Sequence, residues 1–188
     1  MLLLSVDPGQ TSGGVLVYCH SRAPAPTDIM LARVAETKDY DSASVLDELL
    51  VGFTPDPELG DHVLMETGPM ARAHSKLSVA MGRTRERAQQ LGLDVVGLAP
   101  SAWKPIAKKL FAETRCPLLD PRHWWYNVDE QLAYKTRKGK LSDHQRDATL
   151  MAAVYLYTHF GVDWPKVGQQ AVQRLLQRHE EHQTGEGS

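Results

Sequence analysis

The stretch that decides the fold is the first eighteen residues, "MLLLSVDPGQTSGGVLVY" (residues 1–18). Two short apolar runs, 2–6 and 14–19, flank a turn rich in proline and glycine, the pattern of an antiparallel hairpin. Asp7 closes the first run and faces the turn at Pro8-Gly9. A carboxylate at the end of a buried strand is costly to desolvate unless something pairs with it. The residue therefore asks for a partner elsewhere in the chain.

Working outward, a third strand is expected near Ile29–Val34, after the turn-rich "SRAPAPTD" (21–28). "DSASVLDELLVGF" (41–53) has helical spacing at Val45, Leu46, Leu49 and Leu50, with Asp41 or Ser42 as N-cap. "TPDPELGD" (54–61) reads as a loop and "HVLMET" (62–67) as a fourth strand ending near Glu66. A helix is expected over 73–91, with apolar positions Leu77, Ala80, Met81, Ala88 and Leu91. "LDVVGLAP" (93–100) is a fifth strand, and "SAWKPIAKKLF" (101–111) begins a helix that tolerates Pro105 only in its first turn. Residues 114–141 look irregular, 143–158 form a strong helix, 166–182 an amphipathic one, and "TGEGS" (184–188) a frayed end. Three strands, a helix, a strand, a helix, a strand and further helices imply an α/β fold. Its mixed five-stranded sheet is flanked by helices, with an antiparallel meander first and later strands arriving by crossover. The expected division is one domain over 1–160, carrying the insertion at 114–141, then the helix and tail over 161–188.

Composition bounds the function. The chain has 188 residues, 42% hydrophobic and 23% charged, as expected of a soluble globular domain. No apolar run approaches the roughly 20 residues of a membrane span. "MLLLSV" falls short of a secretory h-region of about 7–15 residues. Cys19 and Cys116 have no metal-like spacing and read as free thiols of a reducing, cytoplasmic compartment. The net charge of −2 hides an asymmetry: residues 1–66 carry a net of −8, residues 67–146 a net of +8, and residues 147–188 a net of −2. A basic middle can hold a polyanion on one face, although charged helix faces are solvated by default. Its candidates for phosphate contact are Arg72, Lys76, Lys104, Lys108, Lys109, Lys138 and Lys140, with Arg83, Arg85, Arg87, Lys135 and Arg137 nearby. Trp124 and Trp125, beside Tyr126, are either stacking platforms for unpaired bases or core packing for the insertion.

The clearest chemistry lies in "KLSDHQRDATLMAAVYLY" (140–157). Ser142 with Gln145 three residues on is a capping box, so a helix starts there. His144 and Asp147 then share a face of its first two turns, continuous with an apolar stripe through Ala148, Met151, Ala152 and Tyr155. Asp143, at the first helical position, either serves the helix dipole or joins the other acids. Asp7 and Glu66 each end a buried strand. Together with His144 and Asp147 they bring three carboxylates and a histidine from three elements toward one sheet edge. Hard divalent cations such as Mg²⁺ or Mn²⁺ take such oxygen donors. Two of them about 3.5–4 Å apart can activate water for phosphodiester hydrolysis.

These motifs carry a family resemblance. "SVDPGQTSGG" (5–14) resembles the first-strand motif of RuvC-type Holliday-junction resolvases, and "VLMETG" (63–68) their fourth-strand Glu motif. "KLSVAMGRTRERAQQLGLDVVGLAPSAWK" (76–104) resembles the next helix and strand, with a Pro-x-x-x-Lys signature at Pro100 and Lys104. "HQRDATLMA" (144–152) resembles the closing helix. The resemblance spans about 1–157. It implies an RNase H-like fold, a homodimer, and two Mg²⁺ ions (Mn²⁺ able to substitute) held by Asp7, Glu66, His144 and Asp147, with Asp143 as a further candidate. It further implies a nuclease resolving four-way DNA junctions in a bacterial or phage-infected cell, in the nucleoid. The segment "RCPLLDPRHWWYNVDEQLAYKTRKGKL" (115–141) departs from the family pattern, and Met70 is the one nearby candidate for its junction-opening wedge. The helix over 73–91, with Ala80, Met81 and Ala88, is the expected dimer interface. Competing readings are a nuclease of the same fold acting on flaps, forks or RNA–DNA hybrids, and a DNA-binding module without catalysis. A kinase of the actin-like fold would need a second domain and a second phosphate loop.

Overall fold

A computed structural model describes residues 1–21, 24, 26–68, 76–112, 115–120, 124 and 140–164. The opening hairpin forms as its pattern demands: β1 (Leu2–Asp7) pairs antiparallel with β2 (Thr11–Cys19), Asp7 opposite Gly13. β3 (Ile29–Lys38) extends the meander on the far side of β2. β4 (His62–Glu66) and β5 (Asp94–Leu98) then add in parallel on the other side of β1, so the sheet order is β3-β2-β1-β4-β5. The mixed five-stranded sheet expected from the sequence is the one observed.

Among the described residues, four helices cover its two faces. α1 (Ser42–Leu49) and α2 (Lys76–Gln90) join one core, built on Leu2, Leu4, Val6, Leu16 and Val63. α3 (Pro100–Leu110) and α4 (Asp143–Phe160) join the other, on Leu3, Val15, Val17, Leu31 and Leu64. Successive strand residues alternate between these cores, as a pleated strand between two helix layers must. Asp41 caps α1, its carboxylate accepting from the Ser44 N–H.

Several expectations are corrected. Pro100, not Pro105, takes the first position of α3, and Pro105 lies inside the helix. Its ring cannot donate to the Ser101 carbonyl one turn back, a loss eased by the exposure of Ser101 to water. Ala80, Met81 and Ala88, expected between two copies, are buried within the chain, where Ser42 and Thr84 hydrogen-bond at 2.7 Å across α1 and α2. The core does not stop at residue 160. Val162 and Trp164 are buried, and the Trp164 indole donates to the Ala153 carbonyl at 2.7 Å. The amphipathic helix expected over 166–182 lies outside the described residues. So does most of the 114–141 insertion, apart from a 3₁₀ turn at Pro117–Leu119 and from Trp124. No helix among the described residues is long and apolar enough to cross a membrane.

What fixes α4 on the sheet is the absence of side chains beneath it. A Cβ on Gly13 would stand 2.6 Å from the Gln145 nitrogen and from the His144 carbonyl carbon. Gly13→Ala is therefore expected to displace the first turn of α4 and destabilise the protein by about 1–3 kcal/mol. Gly82→Ala, on an exposed helical site where a Cβ meets nothing within 4 Å, is expected to stabilise it by about 0.5–1 kcal/mol. Urea denaturation of both variants checks the contrast.

Candidate active site

The register of the sheet brings the acids together. β1 and β4 are parallel neighbours with Val6 beside Met65, so Asp7 and Glu66 leave adjacent strand ends at the same edge. α4 starts above that edge. Its N-terminus carries the full capping box: the Ser142 hydroxyl accepts from Gln145 N–H, and the Gln145 side chain accepts from Ser142 N–H at 3.0 Å. The Gln145 amide nitrogen also donates to the Ala35 carbonyl, and the Ser5 hydroxyl to the Ala148 carbonyl at 2.7 Å. These bonds set the helix so that His144 Nδ1 lies 2.8 Å from Asp7 Oδ2. The partner that Asp7 asked for is, in this structure, a histidine.

Asp147 and Glu66 meet through a lysine. Lys104 Nζ lies 2.9 Å from Asp147 Oδ2 and 3.6 Å from Glu66 Oε2. The Trp103 indole donates to the same Glu66 oxygen at 3.1 Å. Asp7 is buried and Glu66 partly so. Burial pushes the Asp7 carboxyl above its ordinary range, against the pull of the His144 hydrogen bond. Burial also raises Glu66, and the charge of Asp7 raises it further, with Lys104 opposing. The Lys104 ammonium is raised in turn, mainly by its bond to Asp147. The acids thus repel one another in a half-dry edge, and one ammonium is the cation among them.

Asp7 and His144 are in contact, and Glu66 and Asp147 meet at the Lys104 ammonium, at the same edge of the sheet. Asp143 is exposed in the first turn of α4, where it faces the helix dipole, and the charges that bear on Asp7 are those of His144, Asp147 and Lys104. Lys104, expected on the phosphate-binding face, points among the acids instead. Lys108 lines an open pocket of about 560 Å³ that runs from Lys104 and Asp147 between α3 and α4, with Phe111 and Leu150 in its wall and Arg115 and Arg146 beside them. Lys76, Lys109 and Lys140 are exposed, whereas Arg87 is tied to Asp47 at 2.7 Å. Trp124 is core: its ring is buried, its indole donates to the Leu118 carbonyl, and its backbone bridges to Leu31, so it is closed to stacking. Arg72, Met70, Trp125 and Lys138, like Lys135 and Arg137, lie outside the described residues. The sequence reading missed Trp103. An indole N–H one residue before the signature lysine was the available signal.

The donor set suits a hard cation: carboxylate oxygens from two strands and a helix, and a histidine whose second nitrogen stays free when Nδ1 faces Asp7. Lys104 stands where a compensating cation is needed. Among the described residues no three His, Cys, Asp or Glu side chains yet close around a single point. The residues fit a metal in kind and charge, and would have to draw together around it.

No family model matches the chain, and no curated protein matches it in sequence. Solved structures do. The RuvC structure of Thermus thermophilus superposes with a TM-score of 0.52 and 18% identity, over 86% of this chain and 98% of that one. The same protein in complex with Holliday junction substrate gives 0.52 and 17%, over 85% and 97%. The yeast mitochondrial Holliday junction resolvase Ydc2 gives 0.50 and 11%, over 82% and 77%. At such identities the likeness is one of fold. The chain has the RuvC-type resolvase fold of the RNase H-like class, with Asp7 and Glu66 at the ends of its adjacent parallel strands.

Proposed function

We propose that the protein is a metal-dependent, structure-selective endodeoxyribonuclease that resolves four-way DNA junctions by paired nicks, acting as a homodimer. The observation that carries this reading is the convergence of Asp7, Glu66, His144 and Asp147 at the sheet edge of a RuvC-type fold. Solved relatives of that fold include one in complex with a Holliday junction, which supports branched DNA as the partner here. Two symmetric cuts need two sites related by a two-fold axis, which a homodimer supplies.

Asp7, Glu66 and Asp147 would hold the ions, with His144 as the nitrogen donor. Bound Mg²⁺, or Mn²⁺ in its place, would activate the attacking water and neutralise charge on the leaving oxygen, giving 5′-phosphate and 3′-hydroxyl ends. The chain's own groups prepare that chemistry. The Asp7 carboxylate orients the His144 ring through Nδ1. Trp103 fixes one Glu66 oxygen by its N–H, leaving the other to a ligand. Lys104 balances Glu66 and Asp147 in the resting site, and its flexible stem can carry the ammonium to an incoming phosphate.

The direct test is a nicking assay on four-way, flap, fork and RNA–DNA hybrid substrates, with Mg²⁺, with Mn²⁺ and in excess chelator. Cleavage that prefers the four-way junction and stops in chelator is expected; full activity in chelator would sink the reading. In sedimentation the active species should be a dimer, and a monomer that still makes both cuts contradicts the paired-site proposal.

Glu66→Gln keeps the shape and the acceptor for Trp103 but removes a charge. It is expected to lose cleavage by several orders of magnitude while binding junction DNA at least as tightly, since repulsion of the phosphate is relieved. Because the folded protein raises the Glu66 carboxyl, ionising it costs stability above the folded value. The variant should thus melt at a higher temperature than the parent at neutral pH without metal. Normal cleavage by Glu66→Gln would make Glu66 a structural acid.

The pH profile gives an independent check. Metal binding needs Asp7 and Glu66 ionised, and in the metal-free protein burial raises both carboxyls. At subsaturating metal the acid limb of the rate profile should accordingly lie higher than free carboxylates would place it. Lys104 favours the ionised form of both acids, so Lys104→Ala should move this limb to still higher pH, besides weakening junction binding and lowering its salt slope by about 1.

A further inference from the structure

A second pocket, of about 350 Å³, opens at the same edge of the sheet but on its other face. Tyr40, Lys76, Val79 and Arg83 line it, with Gln10 and Asp39 on its rim. Topology places it beside the acids. Gln10 belongs to the turn that follows Asp7, and Tyr40 follows β3, whose end at Lys38 pairs with Thr11 in the register. The Tyr40 N–H donates to the Gln10 carbonyl at 3.3 Å, joining the two turns. α2, which supplies Lys76, Val79 and Arg83, is the helix that follows the strand of Glu66.

The turn that presents Tyr40 is strained. Asp39 and Tyr40 both adopt left-handed backbone, φ 59° and 62°, and Asp41 N–H closes the turn on the Lys38 carbonyl at 3.2 Å. Such consecutive positive φ values define a type I′ turn, whose central positions favour glycine and asparagine. Aspartate is tolerated there, whereas a bulky aromatic is an outlier. Backbone strain of this kind persists where the surroundings hold it, and it gathers at functional sites. Here it holds an aromatic ring half-buried against a basic, partly apolar surface. Lys76 Nζ lies 5.9 Å from the ring centroid, Val79 is 51% exposed, and Lys76 and Arg83 are exposed with no ion-pair partner among the described residues. Asp39 is the one acid on the rim, and it too faces water.

We infer that this pocket receives an unpaired nucleotide of the branched substrate, its base stacking on Tyr40 and its flanking phosphates meeting Lys76 and Arg83. A ring, an ammonium and a guanidinium around an apolar patch are the components of sequence-tolerant recognition of single-stranded nucleotides. The Lys76 stem is flexible, so a base entering over Tyr40 moves its charge toward the phosphate. The pocket makes unpaired nucleotides at the branch a substrate feature that the carboxylates themselves cannot read. This inference rests on the nuclease reading above.

The test uses the full chain carrying Glu66→Gln, so that DNA is bound and left uncut. Four-way junctions with a 2-aminopurine at an unpaired position near the branch report stacking by loss of fluorescence, and an equal length of linear duplex serves as control. Tyr40→Phe should quench and bind as the parent does. Tyr40→Leu and Tyr40→Gly should lose the quench and weaken junction binding about tenfold, the effect of losing one stacked base, with duplex binding unchanged. Tyr40→Gly should melt no lower than the parent, because glycine takes the turn without strain. Junction binding and quench unchanged in Tyr40→Gly overturn the inference and leave the nuclease reading standing. A loss shared equally by duplex and junction, or a Tyr40→Gly protein that melts well below the parent, makes Tyr40 structural and overturns it as well. A parent that binds junction no better than duplex removes the nuclease reading and the inference together.

Discussion

The close seating of the first turn of α4 on the β1–β2 hairpin is the constraint on which the rest of the site depends. Gly13 faces α4 and Gly14 faces α1, and a Cβ at either would strike the helix on its side. With those side chains absent, the Ser5 hydroxyl reaches the Ala148 carbonyl and the Gln145 amide reaches the Ala35 carbonyl. Two buried polar groups are thereby satisfied and the helix gains a single azimuth, because rotation would orphan both. His144 and Asp147 inherit that azimuth. The distance from His144 to Asp7 is thus set by the backbone of the hairpin rather than by the flexibility of either side chain.

The same geometry creates an electrostatic conflict. Parallel pairing of β1 with β4 puts Asp7 and Glu66 side by side, and α4 adds Asp147 from above. Burial and mutual repulsion raise the carboxyls of both strand acids. His144 relieves part of this at Asp7 and Lys104 part of it at Glu66 and Asp147. A fold tuned only for stability would replace such a cluster with apolar residues. Its presence at the edge where two strands end and a helix begins is the conflict that the proposed divalent cation would relieve.

Much of this was legible because the informative features are local. An apolar run that stops at an acid reads as a strand end, and it did so at Asp7 and Glu66. The Ser142–Gln145 capping box located α4 to the residue. What was not legible depends on which surface covers which. Periodicity shows that Ala80, Met81 and Ala88 share an apolar face, but not that α1 rather than a second copy lies against it. Composition could not divide Trp124, which fills the core, from a tryptophan free to stack. The start of α3 was read within one residue, but Pro105 lies beyond the first turn expected for it. That Lys104 rests against Glu66 and Asp147 was not legible either, because charge alone does not show which acids long-range packing brings to a lysine. Tyr40 gave no signal at all, since positive φ is a property of the folded turn and the residue itself argues against it.

The two faces of the sheet differ in what they bring to the shared edge. Trp103, Lys104, His144 and Asp147 all come from the layer of α3 and α4. The opposite layer contributes Tyr40, Lys76 and Arg83, which line the second pocket. The acidic centre is consequently flanked on both sides by basic residues, Lys76 and Arg83 on one face and Lys108 and Arg146 on the other. A polyanion can cross such an edge only if the flanks offset its repulsion from the carboxylates, and the flanks act through charge that salt screens over about 10 Å. The carboxylates themselves act at contact distance. Charge on either flank can therefore change without moving the acids, whose positions are locked to the hairpin through Gly13 and Ser5.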